Sequence, residues 1–329
     1  MWSSRSDSSA RACSTDVVEA ATTGLSSGRV RCSALSRGAE EDLAGTASTV
    51  RRWLLVEQPG PWGTDALRES RLNPHVAQGL ASVGREQQAR VLLIRRHGRP
   101  ATLGPRTAFA AHTTPGRHWI ERIDFDDPRE LLDWDWKGFD GDSVGGRPVT
   151  EPVFLVCTNG RHDACCAELG RPLAEALSTY EPDATWESSH FGGDRFAGNL
   201  VCLPAGLYYG RVGPDEAGGV AAAHREGRLS LAHFRGRSSM PFGVQAAEIA
   251  LRRHLSVDGI DDVAMTARDR IDGDTIRVRF HVLGKRAAVV EVRTRTDTDP
   301  RPLSCGADAV SPPRFETRVI EHPADDGGS

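Results

Sequence analysis

The sequence predicts an α/β protein with a β-rich C-terminal tail. Short apolar runs that lead into a turn, such as RWLLVEQPG from residue 52 and VFLVC from residue 153, are typical of buried strands. The segments 169–177 and 242–255 repeat apolar residues at three- and four-residue spacing, as one face of a helix requires. Alternation of apolar residues over 276–282 and 288–292, on either side of LGKR, predicts a hairpin.

These patterns divide the chain into successive regions. We expect a disordered lead over 1–30, an N-terminal α/β lobe with a linker over 31–149, a second α/β domain over 150–256, a β-rich segment over 257–322 and a disordered end over 323–329. Both α/β blocks begin with an apolar strand, a Gly-containing turn and a helix, so the first lobe is predicted to be related to the second. The polar, Gly-rich stretch 127–151 is expected to be the linker.

Composition excludes several classes of protein. The 329 residues carry a formal net charge of −4, which gives no reason to expect a nucleic acid or a membrane surface as partner. No apolar stretch approaches the roughly 18 residues that span a bilayer. Seven cysteines, an odd number and partly clustered, favour a reducing compartment over a disulfide scaffold, so we expect a cytoplasmic protein.

Two loops concentrate residues that bind metals. The first, CTNGRHDACC, follows the apolar strand VFLV directly, so Cys157 lies at the carboxyl end of a strand, where α/β sheets place functional residues. The neighbours Cys165 and Cys166 can approach Cys157, although adjacent side chains rarely both point at one ion. In the second loop, SSHFGGDRFAGN, two glycines separate His190 from Asp194 and allow close approach of a bound group. Thiolates with imidazole bind either zinc or a 2Fe–2S cluster.

Three segments carry a family resemblance. In chain order they are LAGTASTVRRWLLVEQPGPWG, VCTNGRHDACCAELGRPLAEAL and WESSHFGGDRFAGNLVCLPAGLYYGRV, and together they resemble the sucrase/ferredoxin-like family. The similarity runs from about residue 31 to the C-terminus. It implies a thioredoxin-like ferredoxin domain over 150–256, and a 2Fe–2S cluster as cofactor.

The resemblance also implies a set of cluster ligands. The family pattern is C-x8-C followed by H-x3-H, which places Cys157, Cys166 and His190 at three ligand positions. The fourth position holds Asp194 instead of histidine. Three sources of the fourth ligand remain open, namely the Asp194 carboxylate, Cys202 if its strand curls beside the cluster, and Cys165 within the first loop.

We therefore expect an electron carrier rather than a catalyst, with a redox protein of unknown identity as its partner. One alternative is a thiol-based redox enzyme or sensor that uses the cysteines of 157–166. A second alternative is a structural zinc protein. Cys13 and Cys32, in or beside the lead, are not expected to bind metal, and Cys305 is expected to be a buried structural thiol.

Overall fold

The computed structural model describes residues 30–98, 104–283 and 286–321. The helices are α1 Cys32–Gly38, α2 Ala66–Glu69, α3 Pro74–Glu86, α4 Ala164–Tyr180, α5 Ala217–Arg225 and α6 Phe242–Leu255. The strands are β1 Arg52–Glu57, β2 Ala89–Arg95, β3 Arg106–His112, β4 Trp119–Phe125, β5 Arg147–Pro148, β6 Val153–Cys157, β7 Thr185–Ser188, β8 Leu200–Leu203, β9 Leu207–Tyr209, β10 Phe234–Arg237, β11 Val263–Arg270, β12 Thr275–Val282, β13 Arg286–Thr296, β14 Arg301–Pro302, β15 Ala309–Val310 and β16 Pro313–Glu321. Within these residues, no helix combines the length and the apolar character needed to cross a bilayer. The disorder predicted for 1–30 and 323–329 concerns residues that, apart from Val30, lie outside the described part of the chain.

The largest element is a ten-stranded sheet with the order β10-β9-β8-β6-β7-β2-β1-β3-β4-β5. It contains two halves of the same topology. In each half, a strand pairs in parallel with the strand that follows a helix, β1 with β2 and β6 with β7. The next strand, β3 or β8, pairs antiparallel on the other side, and a fourth, β4 or β9, pairs antiparallel with it. This is the strand order of a thioredoxin-like unit, so the predicted relation between the two lobes is confirmed.

The two halves meet edge to edge through the antiparallel pair β2 and β7, where Arg95 lies opposite Glu187. The Arg95 guanidinium donates to the Glu187 carboxylate at 2.6 Å, and the Thr158 hydroxyl donates to the same oxygen at 2.6 Å. Burial would raise the pKa of Glu187, but these partners outweigh it and lower the pKa. Thr158 follows Cys157 directly, so the junction fixes the start of the cysteine loop.

Strand β6 is buried on both sides, which explains its continuous apolar sequence. Val153, Leu155 and Cys157 pack into one core cluster, whereas Phe154 and Val156 pack into another on the opposite face, together with Leu173 and Leu177 of α4. Successive strand side chains alternate between faces. The side chain of Cys157 therefore lies on the face away from Phe154.

The stretch 127–151 differs from the linker that its composition predicts. It forms two short 3-10 turns, Pro128–Leu132 and Trp136–Asp140, and then strand β5. Leu131, Trp136 and Phe139 are buried against the core of the first half. A few large apolar side chains thus anchor a segment whose average composition is polar.

The C-terminal region forms a second sheet with the order β11-β12-β13-β16. The predicted hairpin is present as the antiparallel pair β12 and β13, with Val278 opposite Val290. Both side chains are buried in a cluster with Val244 and Leu251 of α6. The β-rich C-terminal region is therefore confirmed, and α6 lies between it and the larger sheet.

Helix α6 also contains a buried ion network. Glu248 is buried and accepts from Arg237 at 3.0 Å and from Arg252 at 2.9 Å. Burial raises the pKa of Glu248, but the two guanidinium groups reverse the shift and lower it.

We expect Glu248→Ala to lower the free energy of unfolding by about 3–5 kcal/mol, because two buried cations lose their counterion.

Urea denaturation measures this change. The control is Glu226→Ala, which removes one member of an exposed pair with Arg228 and should leave the unfolding midpoint nearly unchanged. A loss below about 1 kcal/mol for Glu248→Ala would contradict the assigned role of the network.

Candidate metal centre

The first cysteine of the site is placed by a close helix-to-strand contact. Cys157 ends β6, and the backbone of α4 crosses the carbonyl of Cys157 at Gly170. A Cβ atom on Gly170 would lie 2.0 Å from that carbonyl oxygen, so no other residue fits without displacement. The contact holds the beginning of α4 beside the end of β6.

The next two cysteines lie in the first turn of α4. Asp163 is its N-cap, and the Asp163 carboxylate accepts from the backbone N–H of Cys165 at 2.8 Å. Adjacent residues of a helix point about 100° apart. Cys165 and Cys166 therefore face different groups, and Cys166 is the one directed toward Cys157.

The second loop is held by backbone geometry and by a buried arginine. Gly193 has φ +89°, a conformation that glycine adopts without strain. The side chain of Asn199 donates to the Gly193 carbonyl at 2.8 Å, and Arg235 donates to Asn199 at 2.7 Å. The loop thereby turns back so that His190 and Asp194 face the cysteines.

These two loops bring the four predicted site residues together. The Nδ1 atom of His190 lies 2.9 Å from a carboxylate oxygen of Asp194 and 4.0 Å from the sulfur of Cys157. The Cys166 thiol donates to the same Asp194 oxygen at 3.2 Å. Cys157 and Asp194 are each 2% exposed and Cys166 is 1% exposed, whereas the His190 side chain is 21% exposed. The histidine is thus the member nearest the surface.

The electrostatics of the site favour charged donors. The close contact with the Cys166 side chain, with the help of His190 and against the effect of burial, lowers the pKa of Cys157 to about 5. The same contact, with burial, raises the pKa of Cys166. Burial would lower the pKa of His190, but Asp194 and Cys157 outweigh it and raise the pKa to about 9. At neutral pH, Cys157 is a thiolate beside an imidazolium and a carboxylate.

The two other proposed sources of a fourth ligand lie elsewhere. Cys202 in β8 is opposite Phe154, so its side chain is on the face of the sheet away from Cys157. It is fully buried among apolar residues, and burial raises its pKa well above the usual thiol range. Cys165 contacts Cys32 and Cys305 instead. Of the three options, only Asp194 contacts other predicted ligands.

Sequence reasoning missed two residues that complete the surroundings of Asp194. The ring of His162 stacks on His190 with centroids 3.8 Å apart, and its Nε2 lies 3.7 Å from the second Asp194 oxygen. The Ser304 hydroxyl donates to that oxygen at 2.6 Å. The position of His162 inside the cysteine loop was a visible signal. Ser304 gave none, since 110 residues separate it from Asp194.

A second group of cysteines lies next to the first. Cys32, Cys165 and Cys305 approach one another at 3.5–3.7 Å between sulfur atoms, with the Asp163 carboxylate beside them. Neither Cys13 nor Cys32 was expected to bind metal; Cys13 lies outside the described residues, and Cys32 is buried within this group. Because Cys32 lies in α1, just after the predicted lead, its position in the sequence does not indicate that it approaches Cys165 and Cys305.

The first group fits a 2Fe–2S cluster in the chemistry of its donors. Such clusters take four protein ligands, drawn from thiolate and imidazole, and Cys157, Cys166 and His190 supply both types within 4.8 Å of one another. Asp194 adds a carboxylate, which contacts Cys166 and His190. The low pKa of Cys157 keeps that sulfur in the thiolate form that binds metal.

Comparison with known proteins places the chain in a family. The sequence model of the family described as sucrase/ferredoxin-like matches residues 43–236, more than half of the 329 residues. No curated protein matches the chain. Among solved structures, a thioredoxin-like [2Fe-2S] ferredoxin from Aquifex aeolicus is similar at 17% identity, over 28% of this chain and 97% of that chain, with a TM-score of 0.26. A cysteine-to-serine variant of the thioredoxin-like [2Fe-2S] ferredoxin from the same organism is similar at 16% identity, over 26% of this chain and 100% of that chain, with a TM-score of 0.25. The family match, which spans both loops of the site, shows that the chain belongs to the sucrase/ferredoxin-like family.

Proposed function

We propose that the protein carries single electrons on a 2Fe–2S cluster bound by Cys157, Cys166, His190 and Asp194. The observation that carries the proposal is the convergence of these four donors from two loops, with contacts of 2.9–4.0 Å. The family supports an iron–sulfur protein, and the donor chemistry supports a cluster with mixed ligands. The cluster, when bound, supplies reversible one-electron chemistry.

The chain contributes ligands, shielding and a proton site. Burial of Cys157, Cys166 and Asp194 keeps water from the sulfur and carboxylate donors. His190 presents Nδ1 to Asp194, and its ring is partly exposed. Without metal, the raised pKa of His190, about 9, keeps its ring protonated at neutral pH. With one ring nitrogen bound to iron, the other would exchange its proton with solvent when the charge of the site changes.

The exposed edge of the site indicates where a partner docks. His190 and the stacked ring of His162 are the partly exposed members of the group, at 21% and 31%. Electron transfer needs close approach, and we infer that a redox protein approaches at these two rings rather than a nucleic acid or a membrane. The described cysteines are free thiols, which is consistent with the cytoplasm.

A thiol-based redox enzyme or sensor is the second candidate. The pKa of about 5 at Cys157 favours it, because the thiolate is the reactive form. The 2% exposure of Cys157 disfavours it, since a disulfide or peroxide must reach the sulfur. Alkylation of one thiol at neutral pH, without loss of metal, would support this alternative.

Anaerobic purification followed by visible spectroscopy and metal analysis tests the proposal. We expect a red-brown protein with about two iron atoms and two sulfides per chain, which dithionite bleaches and air restores. A colourless protein that takes up no iron on reconstitution with iron and sulfide would refute the electron-carrier function.

A further inference from the structure

The second cysteine group draws on three distant parts of the chain. Cys32 begins α1, Cys165 lies in the first turn of α4, and Cys305 lies between β14 and β15. Their sulfur atoms are separated by 3.7 Å from Cys32 to Cys165, 3.5 Å from Cys165 to Cys305, and 3.7 Å from Cys305 to Cys32. We propose that these three cysteines, with Asp163, form a second metal site that holds a single Zn²⁺ ion.

The sulfur triangle has the dimensions of a tetrahedral site. Zinc binds thiolate sulfur at about 2.3 Å, so two sulfurs on one tetrahedral ion lie about 3.8 Å apart. All three separations here, 3.5–3.7 Å, are close to that edge. The ligands of a 2Fe–2S cluster divide between two irons, whereas these three sulfurs are nearly equidistant. The geometry therefore favours one ion.

Asp163 supplies the fourth donor and orders two of the thiols. One of its oxygens accepts from the Cys165 N–H at 2.8 Å, and the other from the Cys305 N–H at 2.5 Å. The carboxylate lies within 4.8 Å of all three sulfurs and 3.7 Å from Cys32. Each carboxylate oxygen has more than one acceptor position, so one of them can still bind the ion. Carboxylate oxygen is an established zinc ligand.

The surroundings of the three cysteines favour thiolates whose negative charge is neutralised by a bound cation. Cys32, Cys165 and Asp163 are buried, and Cys305 is partly buried. The Ser33 hydroxyl donates to the Cys165 sulfur at 3.2 Å. Three thiolates and a carboxylate would repel one another strongly in such a setting, and a divalent ion removes that repulsion. Binding of the ion releases the thiol protons to solvent.

Zinc at this place would join α1, the start of α4 and the C-terminal loop into one unit. The same loop carries Ser304, which donates to Asp194 at 2.6 Å. The ion would thus brace the wall of the first site without taking part in electron transfer, because zinc has no redox chemistry at this potential range. The inference concerns different ligands from the proposed function and does not depend on it.

Zinc analysis of the full-length protein, purified anaerobically and dialysed, tests the proposal. We expect about one zinc per chain in the wild type and a more than about tenfold lower content in Cys32→Ser/Cys305→Ser. Cys202→Ala, which removes a buried thiol outside both groups, should retain the ion. Iron and sulfide are measured on the same samples, so failure of the iron–sulfur function and failure of the zinc site are distinguished.

Thiol mapping on the wild type keeps the test valid if the double variant does not fold. A zinc chelator should make Cys32, Cys165 and Cys305 reactive to iodoacetamide together, as peptide mass spectrometry shows. The proposal fails if wild-type protein neither contains zinc nor binds added Zn²⁺. It also fails if chelation does not change the reactivity of the three thiols, or if the double variant keeps its zinc or loses iron instead of zinc. A disulfide between Cys165 and Cys305 in protein isolated under argon would likewise contradict it.

Discussion

Cys157→Ala and Cys166→Ala are each expected to abolish the visible absorption of the cluster and to reduce iron and sulfide below about one tenth of the wild-type amounts. Alanine offers no donor atom, so one iron would lose a thiolate ligand. The two residues contribute from different elements, β6 and α4, and both are at most 2% exposed. No other described thiol lies close enough to replace either one, because Cys165 is held by Cys32 and Cys305.

The matched control is Cys202→Ala. Cys202 is equally buried and lies one strand away, in β8, but on the opposite face of the sheet. We expect this variant to keep full iron and sulfide content with a modest loss of stability. The ligand assignment would be wrong if Cys202→Ala lost the cluster and Cys157→Ala or Cys166→Ala kept it.

Local sequence patterns predicted the elements that carry the site. The apolar run at 153–157 became the buried strand β6, and the four-residue spacing of Leu169, Leu173 and Leu177 became α4. Both patterns report burial over short distances, which a sequence displays directly. The position of Cys157 at the carboxyl end of a strand follows from this pattern.

Elements with weak patterns were missed. Helix α3, Pro74–Glu86, buries only Val76, Ala77 and Leu80, so its apolar face is narrow. Strand β3, Arg106–His112, is Ala-rich, and alanine does not favour strands, yet it pairs with β4 across its whole length and with β1 over residues 108–112. Tertiary packing decides the structure of both.

Contacts between distant residues account for the rest. Cys32 and Cys305 are 273 positions apart, and neither has a neighbouring cysteine in sequence that would mark a metal loop. The general rule that adjacent cysteines rarely bind the same ion was a better guide to this second group than the positions of Cys32 and Cys305. Cys165 and Cys166 point into two different groups, and the second group is found only when the chain has folded.

Asp194→His is expected to raise the reduction potential of the cluster, by on the order of 100 mV. A carboxylate carries a negative charge that disfavours an added electron, whereas neutral imidazole does not. Where two histidines replace two cysteines in 2Fe–2S centres, the potential is higher by roughly 250 mV or more. The substitution also restores the H-x3-H pattern of the family. An anaerobic redox titration followed by visible absorption measures the potential.

The hydrogen bond from Ser304 provides a test in the opposite direction. Its hydroxyl donates to Asp194 at 2.6 Å and so withdraws negative charge from the carboxylate. Ser304→Ala should therefore lower the potential, by a smaller amount than Asp194→His raises it. Ser33→Ala is the matched control, since Ser33 donates to Cys165 in the other group and its loss should leave the potential unchanged.

A higher potential in Asp194→His and a lower one in Ser304→Ala would identify the Asp194 carboxylate as part of the cluster's coordination. Unchanged potentials in both variants, with the cluster retained, would mean that the fourth ligand is another residue, for which His162 is the nearest described imidazole.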